Sequence, residues 1–288
     1  MKKKRRFKKR YIPLILLLAI MMTAHGCLTF RTADTTWEKK LVEKGQSKPT
    51  FHNYKIEGRN IHYIHVGNDT LPLVVFMHGS PGSASAFEDY LADTSLTNHA
   101  QLIAVDRPGY GYSDFGNTAK SLDQQARLLK PILEKHTAPK TILVGHSLGG
   151  PLIVRMAMDF PALMDELVIL AGSVAPELEP YEWYRAPLNW KVVSWAIPTV
   201  MRVSNQEILP VKEDLKRMLP LWKNIKMPVT IIHGVKDRLV TVENVDFAKE
   251  KLVNSANVDV ILFPEEDHFI PWTKYDEIVH KIIERLKS

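Results

Sequence analysis

The stretch "TILVGHSLGGP", residues 141–151, decides the fold of this 288-residue chain. Four apolar or β-branched residues lead directly into Gly-His-Ser-Leu-Gly-Gly, a pattern typical of a buried strand that turns sharply into a helix. Such a turn uses glycine and serine for conformational reasons alone, but it can also present Ser147 as a nucleophile. The rest of the chain decides between these two interpretations.

Similar apolar runs recur on both sides of this stretch and alternate with helical patterns. They occupy residues 73–79, 165–172, 228–234 and 258–264, and residues 100–111 contain a short apolar run followed by a loop rich in Gly and Pro. Because these runs are mainly apolar without alternation, they predict strands that are buried on both faces. A hairpin is predicted over 54–67, with its turn at Gly58-Arg59-Asn60. The alternation predicts the α/β class, with a mostly parallel central sheet flanked by helices.

Two amphipathic helices are predicted, one over residues 121–136 and one at the end of the chain. Pro131 is expected to kink the first helix or to divide it. Residues 174–226 interrupt the alternation with short helical patterns separated by prolines, and we call them the lid segment. Their tryptophans either line an apolar pocket or pack against the domain, and we expect about two to serve packing alone. These are Trp183, Trp190, Trp195 and Trp222.

A serine hydroxyl is a weak nucleophile unless an oriented base takes its proton. Ser147 therefore predicts two further residues at the carboxyl ends of later strands, where open α/β sheets place their sites. Asp237 follows the run 228–234 by three residues, and His268 comes four residues after Pro264. The order along the chain is nucleophile, acid, base.

Five segments carry a family resemblance. They are "HGSPGS" (78–83), "DRPGYGYSD" (106–114), "GHSLGG" (145–150), "HGVKDRLV" (233–240) and "EEDHFI" (265–270). From residue 51 to residue 288 the chain resembles the α/β-hydrolase superfamily, and in particular its serine-nucleophile esterases and lipases. The resemblance implies the α/β-hydrolase fold with a small helical lid, and Ser147, Asp237 and His268 as the catalytic triad.

The same resemblance implies an oxyanion hole made of the backbone N–H groups of Ser80 and Leu148. It also implies that Gly145 and Gly149 leave room around a strained nucleophile elbow. Glu177, Glu266 and Asp267 are rival candidates for the acid. Roles in packing or loop structure, without chemistry, are expected for His78, His146, His233, Asp106 and Arg107.

The expected chemistry is acyl transfer to water through an acyl-enzyme, with a small ester or lipid-like substrate. Serine at the nucleophile position argues against the family's dehalogenases and epoxide hydrolases, which use aspartate there. The sequence shows no metal-ligand cluster and no phosphate-binding glycine loop, so no metal and no cofactor are expected. Three alternatives stay open: a carbon–carbon bond hydrolase, an acyltransferase, and a non-catalytic binding protein on the same scaffold.

The positive charge of the chain is concentrated at its start. The formal net charge is +6, and residues 2–10 contain eight Lys or Arg. Removing these eight charges leaves −2, so the body carries no basic surface of the kind that nucleic acids require. We therefore expect no nucleic-acid partner.

The N-terminus predicts export to a membrane. Residues 11–24 form an apolar run that is too short to span a bilayer as a helix, and the single cysteine, Cys27, follows closely. Residues 1–26 are interpreted as a signal or membrane-targeting segment, and Cys27 resembles the lipidated cysteine of bacterial lipoproteins. The chain is then exported and held in the bacterial cell envelope. An uncleaved anchor and a plain signal peptide are the alternatives. Residues 27–50 are predicted to be a polar tether that can contain one short helix.

Overall fold

A single eight-stranded sheet forms the centre of the molecule. The computed structural model describes residues 28–288, so the leader and Cys27 lie outside the described residues. The strands are β1 (Thr50–Ile56), β2 (Arg59–Val66), β3 (Leu73–Met77), β4 (Gln101–Val105), β5 (Thr141–His146), β6 (Glu166–Leu170), β7 (Val229–Gly234) and β8 (Val258–Phe263). Their order across the sheet is β1-β2-β4-β3-β5-β6-β7-β8.

The sheet is parallel from β4 to β8 and antiparallel at one edge. β1 pairs with β2 and β2 with β4 in antiparallel register, and the remaining neighbours are parallel. This confirms the predicted mostly parallel sheet. In parallel strands all carboxyl ends lie along one edge, so the loops that follow β3, β5, β7 and β8 meet there.

The hairpin is present, but its turn was predicted one residue too late. Glu57 and Gly58 both have positive φ, 49° and 72°. Two consecutive residues with positive φ are characteristic of a type I′ turn, whose twist matches that of the flanking strands. Arg59 and Asn60 therefore belong to β2 and pair with Ile56 and Lys55.

Twelve α-helices surround the sheet in the described part of the chain. They are α1 (Asp34–Glu43), α2 (Glu88–Leu91), α3 (Thr94–Thr97), α4 (Leu122–Lys135), α5 (Gly149–Asp159), α6 (Arg185–Leu188), α7 (Lys191–Ser194), α8 (Thr199–Ile208), α9 (Val211–Met218), α10 (Glu243–Lys251), α11 (Ile270–Thr273) and α12 (Tyr275–Lys287). None of the described helices is both long enough and apolar enough to cross a membrane.

Two apolar layers cover the two faces of the sheet. On one face Val75 and Leu143 pack with α4, α5, α9 and α10, and on the other face Val74 and Val144 pack with α1, α2 and α12. Alternate residues of one strand point to opposite faces, so the central strands are apolar at most positions, on both faces. This is the physical origin of the continuous apolar runs in the sequence.

Helix α4 is continuous through Pro131, so the proline does not divide it. Proline removes one backbone hydrogen bond from a helix. Leu128, Leu129, Ile132 and Leu133 are buried against the sheet on both sides of the proline. This packing holds the helix together where its backbone bonding is weakest.

The segment predicted as a polar tether contains a docked helix. Trp37 and Leu41 of α1 are 2% and 0% exposed and pack with the α2 and α12 side of the core. Ahead of this helix, Arg31 donates through Nε to the carbonyl of Gly111 at 2.6 Å. Residues 30–43 therefore lie against the domain. The sequence pattern does not indicate this docking, because only one tryptophan and one leucine of the helix are buried.

Candidate active site

Ser147 lies between β5 and α5, in the conformation that a nucleophile elbow requires. Its φ is +54°, in the left-handed region that residues with a side chain rarely adopt. Its N–H donates to the carbonyl of Leu170 at 2.9 Å, and its carbonyl accepts from the N–H of Gly150 at 2.9 Å. These two bonds fix the strained turn and leave the half-buried side chain facing a cavity.

The glycines on either side of Ser147 are required by space. A Cβ on Gly145 would lie 2.3 Å from the carbonyl oxygen of Gly149, and one on Gly149 would lie 2.2 Å from that of Met77. Any side chain at either position would collide with backbone. The elbow can therefore bend tightly against the end of β3 only with glycine at both positions.

Asp237 and His268 follow β7 and β8 and are directly bonded. His268 Nδ1 lies 2.6 Å from Asp237 Oδ2, and both side chains are almost fully buried. The other oxygen of Asp237 accepts the N–H groups of Leu239 and Val240, each at 2.8 Å. Asp237 is thus held rigidly and orients the imidazole of His268.

The Asp237 carboxylate stays ionised. Burial raises its pKa, but the hydrogen bonds from His233, His268 and the Val240 N–H lower it more strongly, to well below the ordinary value. A permanent negative charge beside Nδ1 would stabilise the imidazolium that forms when Nε2 accepts a proton.

The rival acids have other partners. Asp267 accepts the N–H of Phe269 at 2.9 Å, and Glu266 lies 3.5 Å from the ammonium of Lys274. Glu177 is exposed. Asp237 is therefore the acid paired with His268.

The neighbouring histidines hold loops in place. Burial and the nearby His268 lower the pKa of His146 to about 3, so its ring is neutral and donates from Nε2 to the carbonyl of His268 at 3.1 Å. His233 donates from Nε2 to the carbonyl of Val240 at 2.8 Å. The two side chains thereby hold the backbone of the loops that carry Asp237 and His268.

The turn after β3 brings Ser80 close to Ser147. A Cβ on Gly79 would lie only 2.9 Å from the Cβ of Ser147, so the two turns are in contact. Leu148 directly precedes α5, and an N–H at a helix start has no partner within the helix. The two backbone groups predicted for the oxyanion hole therefore lie on adjoining turns.

A fully buried ion pair supports the turn that carries Ser80. Arg107 binds both carboxylate oxygens of Glu207, at 2.8 and 3.0 Å. The same guanidinium donates to the carbonyls of His78 and Gly79, at 2.8 and 2.9 Å. Although burial favours the neutral form, the Glu207 carboxylate raises the pKa of Arg107. Since Glu207 belongs to α8, the lid segment is bonded directly to the candidate oxyanion turn.

Two hydroxyl groups extend this network. Tyr110 donates to Glu207 at 2.5 Å and lies 3.0 Å from the Ser80 hydroxyl. Ser80 in turn donates to the hydroxyl of Ser204 on α8 at 2.8 Å. The hydroxyl of Ser80 is therefore occupied by hydrogen bonds within the protein, and the backbone N–H of Ser80 is the group that can bind an oxyanion.

A cavity of about 700 Å³ contains Ser147 and His268. This size suits one small organic ligand. Apolar side chains form much of its wall, and four charged side chains lie around it. The apolar residues are Ala86, Leu148, Ile208, Val211, Leu239, Val240, Phe269 and Trp272, and the charged ones are Glu179, Glu182, Arg185 and Arg238.

The expectation that lid tryptophans line the pocket is wrong. Trp222 is buried against Phe247, whereas Trp183, Trp190 and Trp195 are 71%, 65% and 59% exposed, and none of the four lines the cavity. The aromatic wall comes instead from Phe269 and Trp272, which follow His268 by one and four residues. The exposed tryptophans lie just outside the short helices, where Trp190 and Trp195 flank α7.

Glu179 is the one cavity carboxyl with a strongly raised pKa. Burial raises the pKa of Glu179 to about 7, and the Ser173 hydroxyl donates to its carboxyl group. A group whose pKa is raised in the folded state contributes stability below its unfolded pKa and loses it as the pH rises through the folded value. Here that loss falls between about pH 4.5 and pH 7.

We expect Glu179→Gln to make the unfolding free energy less dependent on pH. The wild type should lose about 1–3 kcal/mol more than the variant between pH 5 and pH 8, because only the wild type must ionise a buried carboxyl. Urea denaturation at the two pH values measures this. The exposed neighbour offers a control, since Glu177→Gln should leave the pH dependence unchanged. Equal pH dependence in all three proteins would contradict the burial of the Glu179 charge.

A second cavity, of about 790 Å³, lies at the β1–β2 edge and includes His52, His65 and His136. Burial, with smaller contributions from neighbouring basic groups, lowers the pKa of His52 and His136 to about 4. None of the candidate triad lines it. Within residues 28–288 no group of three or more His, Cys, Asp or Glu side chains is arranged to hold a metal ion.

Comparisons with known proteins agree with the topology. The family described as alpha/beta hydrolase fold matches residues 72–195. The chain is 31% identical over 121 residues to the uncharacterized hydrolase YugF of Bacillus subtilis (strain 168), a match that covers 42% of this chain and only 44% of YugF. The likeness to YugF is therefore local.

Two other similarities extend over nearly the whole length of the protein compared. A 2-hydroxy-6-oxononadienedioate/2-hydroxy-6-oxononatrienedioate hydrolase of Pseudomonas sp. is 29% identical over 267 residues, covering 78% of this chain and 92% of that protein. The solved structure of an esterase from Exiguobacterium antarcticum aligns with a TM-score of 0.65 at 19% identity, covering 83% and 99%. Together with the sheet order and the elbow, these findings show that the chain has the α/β-hydrolase fold.

Proposed function

We propose that this α/β hydrolase is a serine hydrolase that cleaves carboxylic esters of apolar acyl or aryl groups. The observation that carries the proposal is the arrangement of three residues. Asp237 and His268 are bonded at 2.6 Å, His268 and Ser147 line the same cavity, and the backbone of Ser147 is left-handed. A serine in a plain turn needs neither the strained φ nor a buried, oriented imidazole nearby.

The chemical steps follow from these positions. His268 Nε2 accepts the proton of Ser147 while Oγ attacks the ester carbonyl, and the N–H groups of Ser80 and Leu148 stabilise the oxyanion. The tetrahedral intermediate expels the alcohol, which takes the proton from His268. Water then loses a proton to His268 and attacks the acyl carbonyl, and the acid leaves as His268 returns this proton to the departing Ser147 Oγ. Asp237 keeps its charge throughout. No step requires a metal or a cofactor.

The apolar cavity wall supports an apolar acyl group in the substrate. Burying one CH₂ group contributes about 0.8 kcal/mol. For p-nitrophenyl esters we therefore expect kcat/KM to rise about fourfold per added methylene from acetate upward, until the cavity is filled. A series of p-nitrophenyl esters measures this. A flat or falling series would contradict an apolar acyl site.

A carbon–carbon bond hydrolase is the second candidate. The Pseudomonas relative, which spans nearly its full length in the comparison, is named for hydrolysis of a dienedioate. Cleavage of such a substrate together with no turnover of any ester would favour this candidate over the first.

We also propose that the enzyme is exported and anchored in the cell envelope through Cys27. Eight basic residues in 2–10, the apolar run 11–24 and the cysteine that follows support this. Mass spectrometry of the mature protein should find a lipid-modified Cys27 at the N-terminus. An unmodified N-terminus at another residue would overturn the lipoprotein assignment.

A further inference from the structure

We propose that the outer face of the lid segment docks on a lipid bilayer and thereby brings the active-site cavity to the membrane surface. The contact surface, which we call the lid aromatic surface, consists of Tyr181, Trp183, Tyr184, Trp190, Val192, Trp195 and Met201. The delivery of substrate from the membrane rests on the proposed ester hydrolysis. The membrane contact itself does not depend on that function.

The lid aromatic surface is unusually apolar for a face in contact with water. Seven large apolar side chains within 21 residues are exposed, among them Tyr181 at 91%, Val192 at 82% and Trp183 at 71%. Concentrated exposed apolar area marks an interaction site. Five of the seven side chains are Trp or Tyr, whose rings combine an apolar body with a polar group and are enriched at membrane–water interfaces.

The lid aromatic surface is not the side of the lid segment that packs against the domain. On the inner side of the same segment Val200, Val203, Leu215 and Met218 are all essentially inaccessible to solvent. The lid segment is therefore apolar on both sides. Its inner side contacts the domain, and its outer side is available to a partner.

The place where the chain enters the domain, near Arg31, indicates that this partner is a bilayer. The guanidinium of Arg31 lies 4.5 Å from the ring centre of Phe115, and Phe115 packs against Val200 and Val203 of α8. The chain thus enters the described domain beside the base of the lid segment. Cys27, the proposed lipid anchor, precedes Arg31 by only four residues. A membrane that holds this anchor would therefore approach the domain at the end that carries the lid segment.

The cavity lies at this end too. Glu179, Pro180 and Arg185 of the lid segment form part of its wall. Its remaining rim includes Leu239, Phe269 and Trp272, which are 66%, 51% and 44% exposed. An apolar substrate can therefore pass from the bilayer to Ser147 along apolar side chains.

The test uses two valines of nearly equal exposure. Val192 lies in the lid aromatic surface at 82%, and Val253 lies elsewhere at 77%. Val253 belongs to the loop between α10 and the amino end of β8, where Ser255 donates to the carbonyl of Met227, just before the amino end of β7. This is opposite the carboxyl edge that carries the site. An aspartate replacing either exposed valine should leave the fold intact, but only Val192→Asp introduces a charge into the membrane contact.

The full-length protein is incorporated into phosphatidylcholine vesicles with brominated acyl chains, which quench tryptophan fluorescence on contact. We expect strong quenching in the wild type and in Val253→Asp, and at least twofold weaker quenching in Val192→Asp. Replacing Trp183, Trp190 and Trp195 together by Phe should remove most of the quenched signal. Equal quenching in the two aspartate variants would overturn the proposal. So would a change in sedimentation mass in Val192→Asp without a change in quenching, because it would assign the surface to a second copy of the chain.

Activity distinguishes this proposal from the proposed function. Val192→Asp should slow turnover of an ester embedded in the vesicles several-fold and leave a soluble p-nitrophenyl ester unaffected. If quenching behaves as expected while no ester is cleaved, the membrane contact stands and the ester hydrolase assignment fails.

Discussion

Replacing Ser147 by alanine should lower kcat by a factor on the order of 10⁴ to 10⁶ without unfolding the protein. The hydroxyl is the atom that forms the acyl-enzyme, so its loss removes the reaction path. The turn itself depends on glycines 145 and 149 and on two backbone hydrogen bonds, all of which alanine retains. Steady-state kinetics with a p-nitrophenyl ester and circular dichroism measure the two effects.

The controls separate chemistry from packing. His268→Ala should lower kcat about as much as Ser147→Ala, and the double variant should be scarcely worse, because the two groups act as one unit. Ser173 lines the same cavity, and Ser173→Ala should keep kcat within about tenfold of the wild type. A Ser147→Ala enzyme that keeps more than about one hundredth of the wild-type kcat would contradict the role of Ser147.

Replacing Glu207 by alanine should lower the unfolding free energy by about 3–5 kcal/mol. The variant leaves the Arg107 guanidinium fully buried without its carboxylate partner, and a buried unpaired charge is among the costliest changes in a protein. Urea denaturation measures the loss.

An exposed ion pair provides the matched control. Glu134 pairs with Lys130 on α4, with both side chains more than a third exposed, so Glu134→Ala should cost at most about 1 kcal/mol. Equal losses of unfolding free energy in the two variants would show that the buried Arg107–Glu207 pair stabilises the protein no more than an exposed ion pair. Because Arg107 also holds the carbonyls of His78 and Gly79, the milder Glu207→Gln should lower kcat more than it raises KM.

The sequence was most informative where backbone geometry restricts the residue type. The strands were predictable because burial on both faces makes most of their positions apolar. Asp237 and His268 were predictable because parallel strands bring their carboxyl ends to one edge, and the structure indeed joins the two side chains.

The remaining features depend on distant partners that no local pattern specifies. Arg107 and Glu207 are 100 residues apart, and nothing near either one indicates the other. The sequence left open whether the lid tryptophans line the pocket or pack against the domain, because short patterns interrupted by prolines do not show which way side chains point. The docking of Trp37 was missed for a similar reason, since one turn of a mostly polar helix carries the contact.

Covalent labelling with a fluorophosphonate probe tests the central claim most directly, because such probes react only with an activated serine. We predict one label per protein molecule in the full-length wild type, located by mass spectrometry on the peptide that contains Ser147. Folded Ser147→Ala protein should take up none, and Asp237→Asn protein should be labelled much more slowly. Label on a different residue, or no label on the folded wild type, would contradict the assignment of Ser147 as the nucleophile.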